Sequence, residues 1–598
     1  GANPQMIIEP GAPLPGRHHY FIGNDPSKWR TGVRAHAGAV YRDVWQGVDV
    51  RVYANGRHLE QEFVVRPGGD LTRIRVTYRG IDGLDVAEDG SLLIRTAFGE
   101  LRESPPTVYQ EVDGKRVAIN SRFKLLGRTT YTVEVTDYEP RYALVIDPTL
   151  VYSTYLGGSG DDGLFNDSVA VDASGAVYVA GSTLSTDFPP ATGLQPAAGG
   201  LRDTFVAKLD PAGTTLAFAT YLGGSGQDDP HAGVALDAAG NIYVAGTTTS
   251  SNFPTQSALQ PAIHGVRDAY VTKLNPAGSA LVYSTYLGGS GEEFGQGMYV
   301  ERSSGEVTLV GDTSSTTDFP VTATGFQTSY QGGPFDGFVA RLNGAGTAIL
   351  FGTYFGGPGE DSVKAIKVDV TGIYIAGSTT SNTGFPLQSP MQSLYGGGAV
   401  DGFVAKLTPG GAALLYSTYL GGGGDDAVFG LVVDGDGSAY MTGATSSANF
   451  PIVNAVQAVY GGNTDAFVTK LSPTGSSMVF STYLGGAEHD EGDGIALDSN
   501  GNPYVVGFSA STTLPIRNAV QPAYGGGPND GFLTVLAGNG HAIVSSTYLG
   551  GSGDDAAFAV ALDGAGNVYV GGRTGSADLP GGGGNGFAGV VDGFVTKL

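Results

Sequence analysis

The chain has 598 residues, 98 of them glycine and none cysteine, so it can bury several cores but forms no disulfide and does no thiol chemistry. Its net charge is −25, and the imbalance is local: residues 1–150 hold 19 basic and 19 acidic side chains, the remainder 13 and 38. That argues against nucleic acid or an anionic membrane as a partner of the acidic part and favours cations or a basic partner, while no stretch approaches the roughly 18 apolar residues of a membrane span.

The chain opens at Gly1 rather than at an initiator Met, which leaves a removed leader and a later start both open. In the first 148 residues, Arg73–Tyr78 and Tyr131–Val135 alternate polar and apolar side chains. Such alternation belongs to antiparallel strands with one exposed face, and a sandwich-like β domain is the expectation. His18 and His19 adjoin, which alone is weak evidence for a metal. Asp147-Pro148 leaves almost no linker, so this domain is expected to pack against the remainder of the chain.

From residue 149 the sequence is periodic. Tyr-Leu-Gly-Gly, or in one copy Tyr354-Phe355-Gly356-Gly357, begins at Tyr155, Tyr221, Tyr286, Tyr354, Tyr419, Tyr483 and Tyr548. The spacing is about 65 residues, and a fixed period over most of a chain means a repeat architecture. Within a unit, short runs rich in β-branched and aromatic residues (Gly233–Leu236, Ile242–Gly246, Asp268–Leu274, Leu281–Leu287) are separated by turns such as Asp237–Asn241 and Asn275–Gly278. No 3.6-residue period appears, so the units read as four strands each. Four short strands per repeat predict a seven-bladed β-propeller over residues 149–598. The array starts with a lone Ser-Thr-Tyr-Leu strand at 151–156 and ends within Asp592–Leu598. The last blade is thus expected to lack its outer strand and to borrow 151–156, which closes the ring and removes an open edge. Antiparallel order then puts the short turns on one face and the long second-to-third loops, with the Gly-rich crossovers, on the other.

The motif string Ser-Thr-Tyr-Leu-Gly-Gly-x-Gly-Asp-Asp, Val-Ala-Val-Asp-x-x-Gly-x-Val-Tyr-Val-Ala-Gly, Asp-Phe-Pro and Asp-x-Phe-Val-x-Lys-Leu resembles the SBBP β-propeller repeats of bacterial secreted and surface proteins. Residues 1–148 resemble the β-rich domain that often precedes such repeats, through Tyr20–Asn24, Gly47–Tyr53, Leu59–Gly68 and Ala143–Pro148. The resemblance implies an exported protein and no particular reaction.

Three groups of side chains are candidates for chemistry. The acidic pairs Asp161-Asp162, Asp228-Asp229, Glu292-Glu293, Glu360-Asp361, Asp425-Asp426, Asp490-Glu491 and Asp554-Asp555 could supply oxygen ligands to Ca²⁺, or could cap turns and accept backbone N–H groups between blades. The recurrent Asp203, Asp268, Asp336, Asp401, Asp465, Asp530 and Asp592 read as structural, bonding neighbouring turns. The basic residues after them (Lys208, Lys273, Arg341, Lys406, Lys470 and Lys597) are either their partners or solvated charges. Residues present in one copy only are better binding candidates: His231, Arg302, Lys364, Lys367 and His489, with the Gly581–Gly586 segment of the last unit. No Gly-x-Ser-x-Gly elbow, phosphate loop or His-Glu-x-x-His occurs, and no carboxylate pair stands out as a glycosidase dyad. The expectation is a secreted or cell-surface, non-enzymatic binding and scaffold protein that meets a protein or glycan, or a homo- or hetero-assembly, through its acidic long-loop face. A propeller-type polysaccharide hydrolase or lyase and a Ca²⁺-stabilised subunit of a surface layer or filament are the alternatives.

Overall fold

The computed structural model describes residues 7–10, 13–20, 30–36, 38–55, 58–78, 81, 83–86, 92–96, 99–103, 106–112, 115–119, 121–136, 138–147, 152–188, 193–211, 213, 215–564, 566–580 and 586–598. The side chains of His18 and His19, together with Pro148 and Gly581–Asn585, lie outside the described residues. The described chain is all-β, with one 3-10 turn at Leu71–Arg73. None of its helices is long and apolar enough to cross a membrane. It divides into two compact units, residues 1–151 with Leu598, and residues 152–597.

In the first unit a seven-stranded antiparallel sheet runs in the order Ile7–Pro10, Gly38–Trp45, Val48–Asn55, His58–Val65, Leu144–Asp147, Thr107–Val112 and Lys115–Ala118. Two three-stranded sheets and a two-stranded ribbon, Pro13–Tyr20 with Arg30–His36, accompany it. One core gathers Val48, Val50, Phe63 and Leu144 from the large sheet with Leu92, Phe123, Tyr131 and Val133 from the small ones. The segment Arg73–Tyr78 departs from the expected strand: Arg73 closes the 3-10 turn, and only Val76–Thr77 pairs, with Thr130–Tyr131. The reason is Ile74, fully buried in the core, while Asp70 caps the turn by accepting the Thr72 N–H at 3.1 Å. Asp49 is buried here too, 2.8 Å from the Arg42 guanidinium.

In the second unit, seven antiparallel sheets follow one another. Taking the fourth as typical, its strands are Asp361–Asp369, Gly372–Thr379, Asp401–Leu407 and Leu414–Leu420, in that spatial order. Six sheets repeat this pattern from their own consecutive strands, the second with its first strand split into Asp228–Asp229 and Val234–Leu236. The seventh has only Asp555–Leu562, Val568–Thr574 and Asp592–Lys597 of its own; its fourth strand is Tyr152–Leu156, from the start of the array. Tyr155 pairs with Phe594 there, and the Ser153 and Thr596 hydroxyls meet at 2.9 Å.

The first strands of consecutive sheets pack against one another all the way round, Asp555–Leu562 meeting Asp162–Val171. First strands are therefore innermost and Ser-Thr-Tyr-Leu strands outermost. The registers Asp361↔Thr379↔Asp401 put crossovers and long loops at one end and short turns at the other. Six of the seven turns between first and second strands are Asp-based hydrogen-bonded loops, the third using Glu301: Asp237 accepts the Ala239 and Asn241 N–H groups at 3.0 and 2.9 Å, and Gly240 takes φ +79°, where a side chain would be strained. The Tyr of each Tyr-Leu-Gly-Gly is buried and donates to the long loop of its own sheet, as Tyr419 Oη does to the Ser381 carbonyl at 2.6 Å.

Candidate functional site

The repeated acids have internal work. Asp162, Asp228, Glu293, Asp361, Asp426, Asp490 and Asp555 are almost completely buried. They do not lie in a loop, as the Gly-rich context suggests, but each begins a first strand. Each accepts the N–H of the second glycine of the preceding motif, from Gly158 to Asp162 at 2.7 Å through Gly224 to Asp228 at 2.8 Å to Gly551 to Asp555 at 2.8 Å. A Ser hydroxyl at the end of the second strand adds a further donor, 2.7 Å for Ser185 to Asp162 and 2.8 Å for Ser447 to Asp426. Burial raises the pKa of all seven. The seven expected pairs are not equivalent. In five the second acid is the buried one; in Asp228-Asp229 and Asp490-Glu491 it is the first, and the second acid continues into the strand. Adjacent strand residues point to opposite faces, so the two carboxylates of a pair do not form a chelate. The buried members face N–H and O–H protons, the reverse of a cation shell. Among the described residues no three His, Asp or Glu side chains gather as metal ligands.

Asp203, Asp268, Asp336, Asp401, Asp465, Asp530 and Asp592 are equally buried. They begin the third strands and accept N–H groups from the end of the long loop: Gly199 N–H to Asp203 at 2.6 Å, Gly461 N–H to Asp465 at 2.8 Å, Ala588 N–H to Asp592 at 2.8 Å. The basic residues five positions on do not partner them. A strand rises roughly 3.3 Å per residue, which carries those cations to the short-turn end. There Lys273 reaches Asp237 at 3.0 Å and Lys470 reaches Asp434 at 3.0 Å, each ammonium lying over a second-strand tyrosine ring.

Variation between copies concentrates elsewhere. The innermost strands lose register with their neighbours between Gly295 and Gly297, Val363 and Ala365, Val428 and Gly430, Gly492 and Gly494, and Ala557 and Ala559. The skipped residues are Gln296, Lys364, Phe429, Asp493 and Phe558. In the first sheet the break holds Phe165, and in the second the interruption holds His231. This bulge position therefore carries a chemically mixed set, at the level where neighbouring innermost strands meet.

Two polar clusters form around it. In sheets one to four, the His231 ring meets Phe165 edge-on at 4.4 Å. Burial pushes the imidazole below its ordinary pKa, against the charge of Asp229 and with those of Lys364, Arg202 and Arg267. Lys364 Nζ is 3.8 Å from Asp312, which also takes the Gln296 amide at 3.1 Å; burial raises the Asp312 pKa. Arg202 Nη1 lies 3.8 Å from Asp229, and Arg267 Nη1 3.9 Å from Glu292, with the Arg267 guanidinium over the Phe294 ring. In sheets six and seven, His489 stacks on Phe508 and approaches Glu491 at 3.3 Å, a contact that raises its pKa. Buried Asp493 is pushed well up by burial and by Glu491, and Arg573 pairs with Asp554 at 3.5 Å.

Of the single-copy candidates, the fold brings His231 and Lys364 together and places His489 in the second cluster. Arg302 sits in a short turn, its carbonyl accepting the Ala238 N–H, and Lys367 pairs opposite Tyr374 toward that same end. Neither belongs to the clusters. Sequence reading missed Arg202, Arg267, Asp312 and Arg573. The signal was there: Arg202 and Arg267 occupy one repeat position, immediately before the third strand, that other copies fill with Phe335, Val400, Thr464, Asn529 and Val591.

Comparison with known proteins is consistent with this architecture. A family model described as a beta-propeller repeat, SBBP, matches residues 151–189, 217–254, 415–451, 479–513 and 546–580. A model described as a domain of unknown function, DUF7948, matches residues 1–149. No curated protein matches the chain. Among solved structures, a protein of unknown function from Dyadobacter fermentans is 10% identical with a TM-score of 0.34, covering 75% of this chain and 98% of its own. A quinohemoprotein alcohol dehydrogenase from Comamonas testosteroni is 10% identical with a TM-score of 0.36, covering 75% and 76%. A europium-containing methanol dehydrogenase is 9% identical with a TM-score of 0.34, covering 88% and 93%. By its repeat sequences and its N-terminal domain, the chain is an SBBP beta-propeller repeat protein with a DUF7948 domain in front of the repeats.

Proposed function

We propose that the repeats form a seven-bladed β-propeller closed by strand Tyr152–Leu156, and that the protein is a secreted or cell-surface binding and scaffold protein without catalytic activity. The observation that carries the binding reading is a set of exposed aliphatic side chains on the long loops. Leu201, Val266, Leu394, Val459 and Val590 are 69–77% exposed, all at the end of the molecule that holds the crossovers. They stand one on the long loop of each of five sheets, so a partner spanning that end could bury them together. The acidic charge of the repeats would keep that face soluble and select against anionic partners. The propeller supplies rigidity: every crossover is pinned by a buried acid with at least two donors, so the loops are held at fixed spacing. Export rests on the family resemblance.

The test combines location and binding. Protease treatment of intact producing cells should degrade the protein or release it, and full-length protein should bind isolated cell-envelope material saturably. Replacing Leu201, Val266, Leu394, Val459 and Val590 by Ser should abolish that binding and leave the melting curve in place. A protein confined to the cytoplasm, or one whose quintuple variant binds as before, refutes the reading.

A further inference from the structure

The cluster of sheets one to four has an unusual hydrogen-bond balance. It holds three cations, Arg202, Arg267 and Lys364, and three carboxylates, Asp229, Glu292 and Asp312, so its formal charge cancels. Yet the pairs stand 3.8, 3.9 and 3.8 Å apart, beyond hydrogen-bonding distance. Asp229 Oδ1, the oxygen that faces Arg202, is buried with no hydrogen-bond partner; Asp312 is 7% exposed, its Oδ2 facing Lys364 and taking the Gln296 amide, its Oδ1 without a partner. Buried carboxylate oxygens in native proteins almost always find donors. Here donors and acceptors alternate, each reaching toward the other and stopping short. The cations remain reachable, with side chains 28–39% exposed. An anion would satisfy the cations and repel the carboxylates; a metal ion would do the opposite. A hydroxyl does both, since it donates one hydrogen bond and accepts two.

We propose that this sector of the ring's mouth is a saccharide-binding subsite, in which hydroxyls of one sugar bridge Asp312 to Lys364 and Asp229 to Arg202. The partly exposed Phe165 and Phe294 flank the charges and offer apolar surface to the ring carbons, in the mixed pattern of small-molecule sites. The inference deepens the binding reading by naming a ligand class and its residues, and it uses none of the five loop aliphatics.

The experiment is titration of the full chain with maltotetraose, cellotetraose, chitotetraose and tri-galacturonate, followed by calorimetry and saturation-transfer NMR. At least one probe should bind saturably. Lys364→Met and Arg202→Gln should each weaken it by about tenfold or more, while Arg302→Gln and Lys367→Gln leave it unchanged. Because Lys364 is 29% exposed and Arg202 39%, Arg202→Gln serves as the variant less able to disturb the fold. Saturation by none of the four probes up to about 10 mM overturns the proposal, as does equal binding by the two cluster variants. A crystal soaked in sugar that shows only water bridging Asp312 and Lys364 also overturns it. Envelope binding through the loop aliphatics would survive Lys364→Met, so the subsite and the wider binding reading fail separately.

Discussion

Replacing Asp401 by Asn should stabilise the protein at mildly alkaline pH and leave it unchanged in acid. Asp401 is fully buried. One of its carboxylate oxygens takes the Gly396 N–H; the other, Oδ1, has no hydrogen-bond partner. Across Gly421 stands Asp426, whose Oδ2 accepts from the Gly422 N–H at 2.7 Å and the Ser447 hydroxyl at 2.8 Å. A Cβ on Gly421 would lie 2.8 Å from Asp401 Oδ1 and 2.9 Å from Asp426 Oδ2, so both oxygens converge on the space that this glycine leaves empty. Burial first, and then the Asp426 charge, pushes Asp401 up to about 7. The folded state thus keeps a proton that the unfolded chain, near its ordinary 3.8, has already released. The stability this proton contributes is complete below the unfolded value and is lost as pH rises through about 7.

A shift of about three units is worth about 4 kcal/mol, and water entering on ionisation trims this to about 2–4 kcal/mol at one site. Asn reproduces the protonated acid, because its carbonyl can accept from Gly396 and its amide can face Asp426. The thermal transition of the repeat unit, followed by calorimetry, should therefore rise for Asp401→Asn near pH 8 and coincide with the native one near pH 3, below the unfolded value. Equal destabilisation at both values would refute the reasoning, since it would mean that the site needs the anion. The same geometry recurs at Asp336 with Asp361 and at Asp530 with Asp555, both first acids raised to about 7, and at Asp465 with Asp490, raised to about 6. The native protein should accordingly lose stability steeply as pH rises across this window.

Gly421→Ala forces a methyl against both carboxylates and should cost about 2–3 kcal/mol or more, read as a lower melting temperature at either pH. Tyr419→Phe deletes the 2.6 Å hydrogen bond to the Ser381 carbonyl and should cost about 1–2 kcal/mol with no change in fold by circular dichroism. Glu491→Gln removes the hydrogen bond that raises His489; an NMR titration of the ring should show a lower pKa, and the His489 contribution to stability, present in acid and lost as pH rises, should shrink. Asp49→Ala removes the buried acceptor of the Asp43 N–H and of Arg42, which stays 41% exposed and paired with Glu9 at 2.8 Å, and should destabilise the N-terminal unit by about 1–2 kcal/mol, seen as earlier melting of that unit alone.

The strand content of each repeat was legible because β-branched runs, Asp-based turns and positive-φ glycines recur together, and each has a local cause. The lone Ser-Thr-Tyr-Leu at the start of the array was legible as a strand in search of a sheet, and the sheet that takes it is the one whose own sequence ends after three. Arg73–Tyr78 was misread because alternation speaks of faces and not of backbone path; burial of Ile74 is met here by a 3-10 turn. The acidic pairs misled for a similar reason. Adjacent letters look like one motif, but pairing places them on opposite faces, and only hydrogen bonding tells which of the two is buried. The meeting of Arg202 with Asp312 was out of reach, since they come from different repeats and only the packing of successive sheets brings them to one sector.

That sector also explains why chemistry can vary there and almost nowhere else in the repeat. A residue inside the ladder is fixed twice, by its pairing partner and by the neighbouring sheet it packs on, and the tyrosines and acids of the motif are fixed a third time by their hydrogen bonds. Substituting any of them in one copy leaves a buried group unpaired, at a cost of about 1–3 kcal/mol. A bulge residue is skipped by the ladder, so its side chain owes nothing to register. Gln296, Lys364, Phe429, Asp493 and Phe558 differ in size and charge across bulges of the same form. The repeat thus separates a constant frame from replaceable side chains at the level where neighbouring innermost strands meet. A change of ligand specificity should accordingly need changes at the bulges and at the position before the third strand, and none in the motif that defines the fold.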